Sequence, residues 1–155
     1  MILVDTGPLV ALAAPNDPDH HACVQLLQKH GSELHVPAMV IAETSYMIET
    51  LLGSTAEEAF LRVFETRWLI AVDATPEDYG RMADLVRKYR DLPLGTADAS
   101  VVALAERLGV SEVATLDHRH FRVVRPGHVD AFTLLPAWPA VPGGKGRTGR
   151  RRGRS

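Results

Sequence analysis

The amino-acid sequence predicts an α/β fold built around a parallel sheet, and two observations support this prediction. Short apolar runs alternate with longer segments of helical periodicity along most of the chain. The segments between successive runs are long enough to hold crossover helices, which parallel strands require. Such alternation favours a sheet covered by helices on both faces.

The first half of the chain contains two predicted strands and four predicted helices. Pro8 suits the first turn of the first helix, because that position needs no backbone N–H donor. The break at residues 16–18 separates this helix from the second one. In order, the predicted elements are strand 1–5, helix 8–14, helix 19–29, strand 34–36, a long helix after Pro37, and helix 55–66.

The second half continues the same alternation. Pro76 marks the first turn of a helix, as Pro8 does. The loop DLPLG separates this helix from the next one. The predicted elements are strand 68–72, helix 76–89, helix 96–108, strand 112–116 and a last short strand near Val123, which gives a sheet of four to five short strands.

The chain has 155 residues, a common size for one domain and sufficient for a sizeable core. We expect one domain over residues 1–135 and a Pro/Gly/Arg-rich tail over residues 136–155. Residues 143–155 contain six of the 17 basic residues and no acid, which leaves 11 bases against 19 acids, a balance of −8, in the rest of the chain. The tail is predicted to be disordered and attracted to polyanions such as RNA, or to be only a solubilising or expression-derived extension.

Three features predict a cytoplasmic protein. Cys23 is the only cysteine, so no internal disulfide forms and a reducing compartment is expected. The start MILVD lacks the basic stretch and long apolar run of a signal peptide. No segment approaches the roughly 18 apolar residues of a membrane span, so we expect no membrane partner.

Four acids occupy positions that would gather carboxylates at one edge of the predicted sheet. Asp5 and Asp117 end apolar runs, whereas Glu43 and Asp98 fall near the starts of helices. Ligands of open α/β sheets bind beyond the carboxyl ends of the strands. Carboxylates brought together there repel one another unless a hard cation neutralises them, and oxygen ligands suit Mg²⁺ or Mn²⁺. The pattern therefore predicts a metal site.

The helical positions of Glu43 and Asp98 support this interpretation. Glu43 falls at the margin of the apolar face of its helix and off the solvated face, and Asp98 lies on the core-facing side of its own helix. A charge at such an edge costs free energy unless it is paired, and no basic residue stands four residues further along either helix. Each acid taken singly also suits an ordinary structural role. Thr96 suits the capping position before Asp98, an acid in the first turn suits the helix dipole, and aspartates often end strands.

A second polar group follows Asp117. His118 and His120 suggest a transition-metal site, but no cysteine or further histidine cluster has suitable spacing. Together with Arg119 and Arg122, they suit contacts to RNA phosphates near the mouth of the acidic site.

Four sequence blocks, in order, resemble the PIN domain in the form found in VapC toxins of bacterial VapBC toxin–antitoxin pairs. The blocks are ILVDTGPLVAL, VPAMVIAETSYMI, DLPLGTADASVVALAERLG and ATLDHRHF. The resemblance covers residues 1 to about 135 and implies an α/β/α sandwich. It also implies a toxin that is a Mg²⁺- or Mn²⁺-dependent endoribonuclease, with Asp5, Glu43, Asp98 and Asp117 as its acidic quartet.

Several finer expectations follow from this resemblance and from the chemistry of carboxylate sites. Asp5 and Asp98 are expected to bind the metal directly, with Glu43 and Asp117 binding directly or through water. Thr6 and Thr115 are expected either to orient these groups or to serve only as a turn residue and a strand residue. The family's hydrolysis implies products with 5′-phosphate and 3′-hydroxyl ends.

The expected partners are an RNA substrate, a VapB-like antitoxin and a second copy of the chain. The region 38–66 is rich in apolar side chains, which in this family suits a homodimer and a groove for the antitoxin, although ordinary core packing remains an alternative. A different functional class also stays open, namely a PIN-like RNA-binding or scaffold protein without catalysis.

Overall fold

The computed structural model describes residues 1–137, which form five strands and seven α-helices. The strands are β1 (Ile2–Val4), β2 (Leu34–Pro37), β3 (Ile70–Val72), β4 (Glu112–Ala114) and β5 (Thr133–Leu135). The helices are α1 (Thr6–Ala13), α2 (His20–His30), α3 (Ala38–Leu52), α4 (Ser54–Glu65), α5 (Pro76–Lys88), α6 (Thr96–Leu108) and α7 (His118–Val123), and a 3₁₀ turn covers Gly31–Glu33.

The strands form one parallel sheet in the order β3-β2-β1-β4-β5. The chain starts at the centre with β1 and builds outward through β2 to β3. It then crosses to the other side of β1 and adds β4 and β5. The crevice beyond the carboxyl ends of β1 and β4 is therefore the topological switch point, where sheets of this kind bind ligands. The predicted α/β fold with a central parallel sheet is confirmed.

The core centres on β1 and α6. All three residues of β1 are buried, as are eight residues of α6 between Ala97 and Ala105. Helix α6 packs against α3, α5, β1 and β2. A helix surrounded in this way needs apolar and small side chains on most of its faces, which the sequence ADASVVALA supplies. This packing holds the first turn of α6, which carries Asp98.

Two adjacent helices begin in different ways. Helix α5 has a capping box in which Thr75 and Asp78 bond each other's backbone N–H groups, with Pro76 in the first turn as predicted. Helix α6 begins after Gly95, and no side chain caps it. Thr96 is thus the first helical residue rather than the cap, and Asp98 is the third.

The sequence prediction of a last strand near Val123 is wrong. Residues 118–123 form α7, because the Asp117 side chain accepts a hydrogen bond from the backbone N–H of His120 and caps a short helix. Phe121 of α7 is buried and makes an edge contact with Phe132, with ring centroids 6.1 Å apart. The fifth strand is instead β5, ten residues further along the chain.

Smaller differences concern the lengths of strands. Strand β3 begins at Ile70 rather than residue 68, and β4 ends at Ala114 rather than residue 116. From residue 138 onward the predicted tail lies outside the described residues. Across residues 1–137, no helix combines the length and hydrophobicity that a bilayer crossing requires.

Candidate active site

The four acids singled out in the sequence line one open cleft of about 460 Å³. The cleft lies at the switch point of the sheet, since Asp5 directly follows β1 and Asp117 lies in the loop after β4. Its lining residues are Asp5, Thr6, Gly7, Glu43, Asp98, Leu116 and Asp117.

Local structure places each acid. Asp5 follows β1, and its backbone N–H donates to the Ala114 carbonyl of β4 at 2.9 Å, which aligns the two strand ends. Asp117 lies three residues after the end of β4 at the start of α7. Glu43 lies in the second turn of α3, and Asp98 lies in the first turn of α6.

Gly7 allows the two halves of the cleft to approach closely. A β-carbon at this position would lie 3.1 Å from the Leu116 β-carbon, which is closer than most such contacts in proteins. The absence of a side chain at Gly7 therefore lets the start of α1 lie against the loop after β4. Nothing in the sequence indicates this role beyond the glycine itself.

Asp5 is the most deeply buried acid of the cleft. Its Oδ2 accepts a hydrogen bond from the Thr115 hydroxyl at 2.8 Å. Its Oδ1 is buried and has no hydrogen-bond partner within residues 1–137. Burial, followed by the negative charge of Asp98, raises the pKa of Asp5 from its ordinary value of 3.8 to about 7. A charged Asp5 is thus short of compensating positive charge.

Two threonine hydroxyls touch the acids. Besides donating to Asp5, Thr115 accepts a hydrogen bond from the Asp117 backbone N–H at 2.9 Å, so one buried hydroxyl links the two strand ends. The Thr6 hydroxyl donates to Glu43 Oε2 at 2.5 Å. Glu43 is an exposed residue, which corrects the expectation that it lies off the solvated face of α3.

Asp98 and Asp117 share a partner that the sequence analysis did not identify. His120 Nδ1 lies 2.9 Å from Asp117 Oδ2 and 3.3 Å from Asp98 Oδ2. Burial raises the pKa of Asp98, and the neighbouring His120 partly opposes that effect. The sequence contains an indication of this contact. The side chain of an aspartate that caps a helix lies beside the third residue of that helix, and for a helix capped by Asp117 the third residue is His120. The contact was missed because the residues near Val123 were predicted to form a strand instead of this helix.

The oxygen donors of the cleft fit a hard divalent cation. Among residues 1–137, no three His, Cys, Asp or Glu side chains are already arranged to hold a metal ion. The fit rests instead on the buried, unpartnered Oδ1 of Asp5 and on an oxygen-only set of cleft carboxylates. The transition-metal hypothesis gains no support, because His120 Nδ1 is engaged by two carboxylates and the His118 side chain is buried.

Comparison with known proteins agrees with the fold. The family model of the PIN domain matches residues 2–126. Ribonuclease VapC26 of Mycobacterium tuberculosis is 35% identical over 136 residues, which is 87% of this chain and all of that protein. The chain therefore belongs to the PIN-domain family, among the VapC ribonucleases that are toxins of toxin–antitoxin systems, as the four sequence blocks suggested.

Two solved structures share the fold. VapC20 of M. tuberculosis, a toxin that cleaves the sarcin–ricin loop, superposes with a TM-score of 0.68 at 17% identity, covering 73% of this chain and 87% of that one. FitAcB from Neisseria gonorrhoeae superposes with a TM-score of 0.52 at 21% identity, covering 74% and 86%. At these identities the likeness concerns the fold alone.

Proposed function

We propose that the acidic cleft is the active site of a metal-dependent endoribonuclease that hydrolyses RNA phosphodiesters. Asp5, Glu43, Asp98 and Asp117 are its acidic residues, and Mg²⁺ or Mn²⁺ is its cation. The observation that carries this proposal is the state of Asp5, a buried carboxyl group with an unpartnered oxygen beside other acids. A cation would relieve the repulsion between the charged Asp5 and the other acids, so the cleft favours binding a cation.

The cleft residues have distinct roles in this proposal. Asp5 and Asp98 hold the cation directly, and Glu43 and Asp117 hold it directly or through water. The hydroxyls of Thr115 and Thr6 orient Asp5 and Glu43, respectively. When bound, a divalent cation offsets the charge of the phosphodiester and favours attack by water near neutral pH. Attack by water at phosphorus, with cleavage of the bond between phosphorus and the 3′ oxygen, would leave 5′-phosphate and 3′-hydroxyl ends.

RNA reaches the cleft past the exposed side of α7. Arg119 and Arg122 are exposed on this helix, which begins directly after the cleft residue Asp117. Guanidinium groups at this place suit contacts to the phosphates that flank the scissile bond. Arg119→Ala should raise KM for RNA with little effect on kcat, and an unchanged KM would count against this contact.

A second copy of the chain is the first proposed protein partner. Large apolar side chains are exposed along α3 and α4, namely Tyr46, Met47, Leu51, Leu52 and Leu61. Exposed apolar surface of this kind favours association. Leu51, which is 62% exposed, is the test position. Leu51→Glu should yield monomers by light scattering, whereas Thr50→Glu, beside it, should matter less; equal masses for wild type and Leu51→Glu would contradict the proposal.

An antitoxin is the second proposed protein partner. A groove of about 230 Å³ lies between α1 and α4, lined only by apolar side chains that include Leu9, Leu12, Phe60 and Val63. Apolar side chains of an antitoxin segment would fill it. In an inactive Asp5→Asn background, Ala59→Arg should prevent co-purification of the antitoxin. Ala83→Arg, on an exposed part of α5, is the matched control, and retention by both variants would contradict the groove assignment.

Cleavage of RNA by the purified, antitoxin-free chain tests the function itself. Total bacterial RNA is incubated with Mg²⁺, Mn²⁺ or EDTA, and the product ends are mapped. Discrete metal-dependent cuts with 5′-phosphate ends are expected from wild type and should fall at least about 100-fold in Asp5→Asn and Asp98→Asn. Asp73→Asn is the control, because Asp73 also follows a strand but does not line the cleft.

The alternative function is a PIN-like RNA-binding or scaffold protein without catalysis. A folded wild-type chain that binds RNA but cleaves none with either metal would support this alternative and overturn the proposed nuclease.

A further inference from the structure

His120 lies between two acids of the cleft and engages both. Its Nδ1 is within hydrogen-bond distance of Asp117 Oδ2 at 2.9 Å and lies 3.3 Å from Asp98 Oδ2. Both neighbours are carboxylate oxygens, which accept hydrogen bonds, so the Nδ1 atom carries the proton in this arrangement. The His120 and Asp98 side chains are each only 19% exposed, whereas that of Asp117 is 42% exposed.

Both oxygens of Asp117 are directed at His120. Oδ1 accepts the backbone N–H of His120 at 3.1 Å, and Oδ2 faces the imidazole. Asp117 is therefore turned toward the first turn of α7. Asp98 differs, because only its Oδ2 is held by His120 within the described residues. Its second oxygen is not held by the imidazole.

We infer that His120 is a positioning residue, through which Asp117 orients Asp98 for cation binding. The inference rests on the proposed metal-dependent function and revises one part of it: Asp117 acts on the cation through His120, rather than by holding it directly or through water. Asp117 fixes the imidazole, the imidazole fixes one oxygen of Asp98, and Asp98 presents its other oxygen beside Asp5. A carboxylate–histidine unit that supports a metal ligand in this way commonly changes metal affinity about 10- to 100-fold when it is lost.

Substitution at His120 separates positioning from mere packing. The side-chain nitrogen of asparagine is as many bonds from the backbone as Nδ1 of histidine, so His120→Asn keeps a hydrogen-bond donor at the place of Nδ1. The side-chain nitrogen of glutamine is one bond further from the backbone, like Nε2, so His120→Gln does not. The dissociation constant for Mn²⁺ is measured by electron paramagnetic resonance without RNA. His120→Asn should bind Mn²⁺ within about three-fold of wild type, and His120→Gln and His120→Ala about 10- to 100-fold more weakly.

A double-mutant cycle tests the path from Asp117 to Asp98. Asp117→Asn alone should weaken Mn²⁺ binding about ten-fold, and asparagine still caps α7. In the His120→Ala background the same change should have an effect of less than about three-fold, because the path is already broken. Equal effects of Asp117→Asn in both backgrounds would show that Asp117 acts independently of His120 and would overturn the inference.

The outcomes distinguish this inference from the proposed function. If wild type binds Mn²⁺ and cleaves RNA while all three His120 variants match it, only the inference fails. If wild type binds no Mn²⁺, both fail. Weak binding by His120→Gln with strong binding by His120→Asn supports the inference, provided that the melting temperatures of the two variants agree, and equally weak binding by both overturns it.

Discussion

The carboxyl group of Asp5 destabilises the metal-free chain when it is charged. Its pKa in the folded chain, about 7, lies above the ordinary value of 3.8 mainly because of burial. Between these two values of pH, Asp5 thus keeps its proton in the folded chain and loses it in the unfolded chain. The contribution of this group to the free energy of unfolding is complete below about pH 4 and is lost as the pH rises through 7.

Asp5→Asn is therefore expected to stabilise the metal-free protein while abolishing cleavage. The shift from 3.8 to about 7 corresponds to at most about 4 kcal/mol, at about 1.4 kcal/mol per unit. The free energy of unfolding of the variant minus that of wild type should grow by up to this amount between pH 4 and pH 8. Urea unfolding in EDTA measures it at each pH.

The exposed Asp73 provides the control for this pH dependence. Asp73→Asn should follow the wild-type curve, since its side chain lies outside the cleft. Parallel curves for wild type and Asp5→Asn would mean that Asp5 is charged in the folded chain at no cost. The cation would then have no repulsion at Asp5 to relieve.

The sequence predicted the individual acids better than their partners. Asp5 and Asp98 could be placed because strand ends and first helical turns follow from apolar patterns, and the structure brings both to one cleft. His120 could not be paired with Asp98 in the same way, because the two lie 22 residues apart and meet only through the fold. The hydrogen bond from Thr115 to Asp5 spans 110 residues and has the same explanation.

Helices α5 and α6 are joined by a partly buried ion pair. Arg81 of α5 donates to both carboxylate oxygens of Glu106 at 2.7 and 2.9 Å, and Glu106 also accepts the Gly127 backbone N–H at 2.8 Å. The hydrogen bond from Arg81, against the opposing effect of burial, lowers the pKa of Glu106. The stabilisation is therefore present above the unfolded value of 4.5 and is lost as the pH falls through the lower folded pKa.

Glu106→Gln is expected to lower the free energy of unfolding by about 1–2 kcal/mol at pH 7 and by less in acid. Glu58→Gln is the matched control, because Glu58 also pairs with an arginine, Arg62, but both side chains are 64% exposed. That change should cost less than about 0.5 kcal/mol. Equal costs at the two sites would contradict the role given to burial, and chemical denaturation measures both.

Long elements were predictable and the short α7 was not. Helices of eleven or more residues, such as α3 and α6, show enough periodicity to be recognised, and glycines such as Gly109 (φ 67°) mark their ends. Helix α7 has six residues, too few for a periodic pattern, and its Val123 and Val124 resemble a strand. The cap from Asp117 and the burial of Phe121 decide its conformation.

The order of the strands could not be obtained from the sequence, although the first four strands and their parallel direction could. Alternating elements require crossovers, but either side of β1 could have received β4. The structure places β4 beside β1 and opposite β2, which opens the cleft at Asp5. The switch point is therefore a property of the assembled sheet.

The charge of the chain is divided between an acidic body and a basic end, so its RNA affinity should depend on residues 143–155. These residues carry six basic side chains, against a balance of −8 in the rest of the chain. A chain truncated to residues 1–142 should bind RNA more weakly at low salt and with a smaller salt dependence, yet retain metal-dependent cleavage. Filter binding in EDTA at several salt concentrations measures this, and unchanged affinity would refute it.

Anomalous diffraction from crystals soaked in Mn²⁺ tests most directly whether the acidic cleft is a cation site. A peak at the manganese edge is expected beside Asp5 and Asp98 in wild type, and its loss is expected in Asp5→Asn. Asp73→Asn should keep the peak. A well-diffracting wild-type crystal with no peak in the cleft, or with a peak only at surface carboxylates, would contradict the proposed active site.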